Sequence, residues 1–188
     1  MKLEPLLVGL SFGEGPRWRD GKLWFSDFYV HQVRTVDEAG NAETIVEVPG
    51  RPSGLGWRPD GTMLIVSMTD RRLMRFADGK LSVEAELKPL ATGHCNDMIV
   101  DAKGRAYVGN FGFDRHAGEE PRAAVLVRVD PDRSVHQAAD GLMFPNGTVI
   151  TPDGKTMIIG ETFAKRLTAF DIAADGTLSN RRVWAETP

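Results

Sequence analysis

A chain of 188 residues, 41% hydrophobic and 26% charged, has ordinary globular composition and enough apolar material for one domain with a buried core. Its net charge of -3 leaves no broad basic field for nucleic acid or anionic lipid, and no run approaches the ~20 apolar residues of a membrane-spanning helix. The single cysteine, Cys95, excludes an internal disulfide, and Met1-Lys2-Leu3-Glu4-Pro5 is a poor secretory signal, so a cytoplasmic protein is expected.

Taken in chain order, the predicted elements repeat. The first unit runs through residues 13–19, turns at Asp20-Gly21, and returns through 22–26. An alternating run, 32–36, and a closing strand, 43–48, complete it. The second unit has 53–59, Asp60-Gly61, 62–66 and 72–76. The third has 96–102, Lys103-Gly104, 105–108 and 125–129. The fourth has 146–152, Asp153-Gly154, 155–159, 166–170 and a closing run at 181–184. The runs are rich in β-branched and aromatic residues, and glycine at each turn can supply positive φ.

The turn glycines are spaced by 40, 43 and 50 residues. Four strands in roughly 40–45 residues is the length of a propeller blade. The expected fold is therefore all-β, a β-propeller, with blade-like units at about 11–50, 51–93, 94–143 and 144–188. An all-β sandwich also has frequent turns, but it does not predict four hairpins in phase. The longer third unit carries an excursion, 113–121, which reads either as a lid over the central opening or as a surface insertion.

Aligned on the turns, the residues opening the innermost strands are Glu14, Ser53, Asn96 and Asn146. All four bear oxygen. Innermost strands of a propeller line its central channel, so these residues converge although they are distant in sequence. A carboxylate with two side-chain amides suits a hard cation such as calcium, magnesium or manganese, and can also take zinc. The alternative is that such residues merely cap turns by bonding nearby backbone. Cys95 has only His94 beside it, and neighbours on a strand point to opposite faces, so Cys95 reads as a buried small hydrophobe. His31, His116 and His136 share no ligand spacing and read as surface histidines. Asn146-Gly147-Thr148 matches a glycosylation sequon, read as coincidence.

Several motifs in order carry a resemblance. Glu14-Gly15-Pro16 precedes a Trp. Gly93-His94-Cys95-Asn96-Asp97 comes before Gly109-Asn110-Phe111-Gly112, and Phe144-Pro145-Asn146-Gly147 before Thr151-Pro152-Asp153-Gly154. Together they resemble the senescence marker protein/gluconolactonase/luciferin-regenerating enzyme family, over nearly the whole chain. The resemblance implies a six-bladed propeller that hydrolyses sugar and related lactones with one divalent cation. It implies that Glu14 and Asn146 are metal ligands. Asn96 is then the catalytic-site residue contacting substrate or water. His94 falls where some relatives carry a substrate-contacting Arg, and Asn110 is a candidate for the pocket wall.

The resemblance also implies a further ligand and general base, an Asp opening the fifth inner strand. The spacing puts that position between 185 and 196, so it is expected beyond Pro188; Glu186, the only acid in range, reads as a solvated strand end. On this reading the chain carries about four blades of six, and exposed blade faces invite self-association. The run 6–10 reads as strand-like; in the complete fold it would pair with the last blade, and that partner is absent from this sequence. The expected activity is metal-dependent lactone hydrolysis, with a metal-activated water attacking the carbonyl. The competing readings are a non-catalytic calcium-binding or protein-interaction propeller, and an inactive fragment.

Overall fold

The computed structural model describes residues 4–115 and 117–188. The reading of His116 as a surface histidine lies outside them. Among the described residues, sixteen strands form four antiparallel four-stranded sheets, each running in chain order from the inside outward. Blade 1 comprises β1 (Gly13–Arg19), β2 (Lys22–Asp27), β3 (Gln32–Asp37) and β4 (Ala42–Glu47). Blade 2 comprises β5 (Pro52–Trp57), β6 (Met63–Ser67), β7 (Arg72–Ala77) and β8 (Lys80–Glu86). Blade 3 has β9 (Cys95–Val100), β10 (Ala106–Asn110), β11 (Ala124–Val129) and β12 (Val135–Leu142). Blade 4 has β13 (Pro145–Ile150), β14 (Thr156–Glu161), β15 (Arg166–Ile172) and β16 (Leu178–Glu186). Strand β1 packs on β5, β5 on β9 and β9 on β13. The fold is a propeller arrangement of four blades, as the repeat predicts. No helix of the described residues is long and apolar enough to cross a membrane.

The inner hairpins follow from their turn residues. In blade 1, Arg19 pairs with Lys22 around Asp20 (φ 52°) and Gly21 (φ 75°), a two-residue turn with both central residues left-handed. The other three turns are longer. Asp60, Asp101 and Asp153 close them by accepting the N–H of Thr62 (2.9 Å), Lys103 (2.9 Å) and Lys155 (3.1 Å). That difference accounts for the shorter spacing from Glu14 to its turn.

Each blade is apolar on both faces, and adjacent blades cover the faces they share. Val33, Leu55 and Ile65 form the core between blades 1 and 2, with Trp24 and Trp57 in edge-to-face contact at 5.2 Å. Leu64, Leu73, Met98 and Val108 lie between blades 2 and 3. Tyr107, Leu126, Met157 and Ile159 lie between blades 3 and 4. Nearer the axis there is room for backbone only. A Cβ on Gly15 would lie 2.7 Å from the Ser53 carbonyl oxygen, one on Gly54 2.5 Å from Met98 N, and one on Gly109 2.7 Å from the Pro145 carbonyl oxygen. One glycine thus admits the next blade at each of the three junctions.

A second repeated device sits at the end of each second strand, where β2, β6, β10 and β14 close on Asp27, Ser67, Asn110 and Glu161, all buried. The N–H groups of Ser11, Gly93 and Met143 donate to Asp27 (3.0 Å), Asn110 (3.4 Å) and Glu161 (2.8 Å). These donors lie three residues before Glu14, Asn96 and Asn146. In blade 2 the equivalent Gly50 packs directly on the Ser67 hydroxyl, leaving no space for a Cβ. Each blade therefore latches the segment that leads into its own inner strand. Burial alone would raise the Glu161 pKa, but hydrogen bonds from Arg166, Thr168 and the Met143 N–H hold it below the ordinary range. Asp27 behaves alike: bonds from Ser11, Phe12 and Arg34 outweigh its desolvation.

The run 6–10 corrects an expectation. It forms no strand among the described residues. Instead Leu6, Leu7 and Leu10 lie along the outward face of blade 1, lining a groove of about 310 Å³ with Leu23, Phe25 and Val36.

Two outcomes follow for stability. Gly54→Ala drives a Cβ into the backbone of β9 and should cost about 1–3 kcal/mol in denaturant unfolding; an unchanged midpoint would show that the junction has slack. Glu161→Ala strands Arg166 and the Met143 N–H and should cost about 2–4 kcal/mol. Glu161→Gln, which still accepts that N–H, should lose less. Because the folded-state pKa of Glu161 is lowered, its contribution is present above the ordinary carboxylate range and lost as pH falls through and below it. An acid titration of the parent's melting temperature should therefore drop more steeply than that of Glu161→Gln.

Candidate functional site

Glu14, Ser53, Asn96 and Asn146 are the second residues of β1, β5, β9 and β13. In every blade the pairing with the second strand is irregular at this point, between Glu14 and Arg17, Pro52 and Leu55, Cys95 and Met98, and Asn146 and Thr148. Such irregularity re-aims side chains that a regular pleat would alternate between faces. Three of the four then meet. Glu14, Asn96 and Asn146 line one cavity of about 580 Å³ at the end of the axis. Ser53 is buried behind it, where its hydroxyl donates to Asn96 Oδ1 (3.3 Å) and steadies that amide.

The remaining walls are mostly apolar: Phe12, Phe28, Tyr29, Met68, Phe111 and Phe144. Phe28, Met68, Phe111 and Phe144 come one from each blade and form a single cluster, with Phe111 and Phe144 edge-to-face at 4.5 Å. Arg115, from the excursion of blade 3, completes the lining. The excursion is thus part of the cavity rim rather than an insertion elsewhere on the surface.

Charge is distributed unevenly around the cavity. Asp97, beside Asn96, receives the Arg17 guanidinium (2.8 Å) and the Thr148 N–H (3.3 Å), so one carboxylate ties blades 1, 3 and 4 together. Among the described residues Glu14 has no basic partner. Desolvation raises its pKa, the Gly15 N–H opposes this, and the charge of Asp97 adds to the rise. A half-buried carboxylate near another negative charge shares this cavity with two amides. Among the described residues no three His, Cys, Asp or Glu side chains gather into a metal cluster. The set that fits a hard cation is one carboxylate and two amides.

The other predicted residues sit elsewhere. His94 lies outside the lining of this cavity, in a recess of about 100 Å³ with Thr69, Arg71 and Asp114, its ring 6.3 Å from that of Phe111. Asn110 is fully buried and is not on the lining. Its Oδ1 accepts from Gly93 and Gly112 and its Nδ2 donates to the Val125 carbonyl (2.7 Å), so its amide is consumed by the latch and cannot reach a ligand. Glu186 is exposed on the outermost strand, paired in register with Arg166. Burial pushes the Cys95 thiol up to about 12, which excludes a thiolate nucleophile at neutral pH. His31 bonds the Pro49 carbonyl, and His136 lies beside Asp130 and Ser134. The aromatic walls and Arg115 were not singled out from sequence; the residue following the second strand in the first three units (Phe28, Met68, Phe111) was the available signal.

Comparison with known proteins agrees with this architecture. The pentonolactonase XacC of Haloferax volcanii is 29% identical over 182 residues, covering 94% of this chain and 59% of that protein. The lactonase drp35 of Staphylococcus epidermidis is 26% identical over 178 residues, covering 90% and 52%. A solved structure of a gluconolactonase from Xanthomonas campestris superposes with a TM-score of 0.81 at 26% identity, over 97% of this chain and 65% of that one. The chain therefore spans a little over half the length of the curated relatives it matches. The family model for the SMP-30/gluconolactonase/LRE-like region matches residues 12–188, and the chain belongs to that family.

Proposed function

We propose that the protein takes part in metal-dependent hydrolysis of sugar or related lactones, with Glu14 and Asn146 holding one divalent cation and Asn96 beside the substrate. The observation that carries this reading is the meeting of those three side chains in one cavity, with Glu14 lacking any basic partner. Family membership supports the reaction class.

The residues divide the work. Glu14 supplies the negative charge and Asn146 a neutral oxygen. Because burial and Asp97 favour the protonated form of Glu14, cation binding and proton release are linked at this carboxyl. When bound, a divalent cation polarises the lactone carbonyl and lowers the pKa of water. Asn96, steadied by Ser53, is placed to donate to a substrate oxygen. Phe111, Phe144 and Phe28 exclude bulk water, so every polar interaction in the cavity is strengthened. Hydrolysis forms a bond from water oxygen to the carbonyl carbon and breaks the ring C–O bond, with the water proton passing to a base and a proton returning to the departing ring oxygen, which becomes the hydroxyl of the hydroxy acid. Asp97 is occupied by Arg17 and Thr148, which leaves the base to the Asp of a fifth inner strand that the resemblance implies.

Calorimetric titration with calcium, manganese or zinc should show one site, weakened more than about tenfold in Glu14→Gln and Asn146→Ala. Acid release from neutral sugar lactones should stop on chelation and fall by more than about 100-fold in Glu14→Gln. Turnover that survives both chelation and Glu14→Ala would overturn the metal mechanism. Cation binding without turnover of any lactone would favour a non-catalytic cation-binding propeller.

A further inference from the structure

Arg115 is the one basic side chain among the described residues lining the central cavity. Its backbone is held firmly in place. Phe113, two residues earlier, is buried and packs on Phe163 with ring centroids 6.0 Å apart. The Glu119 carboxylate accepts the Asp114 N–H (2.9 Å) and the Arg122 guanidinium (2.6 Å), while Asp114 Oδ1 accepts the Ala117 N–H (3.0 Å). The Gly118 N–H and Glu119 N–H close the turn on the carbonyls of Arg115 and Asp114.

The guanidinium itself has no hydrogen bond or ion pair among the described residues. It does not neutralise Glu14 either: the influences on that carboxyl are burial, Gly15 and Asp97, and Arg115 is not among them. The two opposite charges therefore face one cavity with space between them. At about 580 Å³ the cavity is large enough for a sugar-sized ligand. A guanidinium offers five donors in a planar fork that matches a carboxylate two-to-two. For a neutral ligand this fork would supply only ordinary hydrogen bonds to hydroxyls.

We infer that Arg115 is a specificity residue for anionic lactones, those carrying a free carboxylate remote from the lactone carbonyl. The inference rests on the lactone-hydrolase reading: the carbonyl lies at the Glu14, Asn96 and Asn146 end, and the carboxylate at the Arg115 end.

The test compares glucaro-1,4-lactone, which bears a carboxylate, with neutral galactono-1,4-lactone, in the parent, Arg115→Gln and Arg115→Lys. The parent should prefer the anionic lactone at least about tenfold in kcat/KM. Arg115→Gln should lose that preference through KM, with the neutral lactone altered less than about threefold, and Arg115→Lys should keep part of it. An unchanged preference ratio in Arg115→Gln would overturn the assignment. If the parent hydrolyses neither lactone, the hydrolase reading fails. Calorimetric binding of the same two compounds then decides Arg115: selective loss of the anionic one in Arg115→Gln supports the assignment, and equal affinities overturn it.

Discussion

Close approach of backbone at the axis is the constraint on which the site depends. At the three junctions Gly15, Gly54 and Gly109 let the neighbouring blade come within distances that no side chain would permit. The apolar cores between blades supply the driving force, but they lie further out. Only because the inner strands nearly touch can residues 14, 96 and 146 reach a common cavity. The same closeness lets Arg17 of blade 1 reach Asp97 of blade 3, and lets Asp97 accept a backbone N–H from blade 4.

Charge then separates the carboxylates into those that build and those that can bind. Asp27 and Glu161 are buried, yet hydrogen bonds hold both below the ordinary range, so each is satisfied within the protein. Asp97 has its guanidinium. Glu14 is shifted the other way: burial raises it most, the charge of Asp97 adds to the rise, and only the Gly15 N–H opposes them. A carboxyl left uncompensated beside two amides, in a fold that compensates Asp27, Asp97 and Glu161, is what supports the proposed ligand role of Glu14. The distinction comes from partners, since the four groups are all acids at the inner ends of strands.

The hairpins and the four strand-opening residues were legible in the sequence because each rests on a local signal. Asp-Gly or Lys-Gly turns set the phase, β-branched runs set the strands, and counting from the turn identifies residues 14, 53, 96 and 146. The latch was not legible. It joins the end of one strand to a backbone N–H that precedes another, and a backbone donor leaves no mark on residue type. Asn110 was therefore assigned to the pocket wall, whereas its amide is spent on Gly93, Gly112 and Val125. The run 6–10 misled for a related reason: apolar residues in succession fit a strand or a packed coil equally, and here they cover a face. The course of the 113–121 excursion depends on turn contacts such as Asp114 with Ala117, so the position of Arg115 could not be counted from any repeat.

Glu14 also belongs to a second surface. It lines the central cavity on one side, and on the other it edges the apolar groove of blade 1, with Leu10 and Phe25 nearby. That outward face is apolar for the same reason as the inner ones: a blade has two faces, and each packs like its equivalents. Blade 4 likewise exposes Val149, Val183 and Trp184. Whatever covers the face of blade 1 changes the solvation of Glu14, because desolvation is already the largest influence on that carboxyl. An apolar cover would disfavour its charge further, and a cation held as proposed would favour it, so on that proposal packing against blade 1 and cation affinity would be coupled through a single side chain.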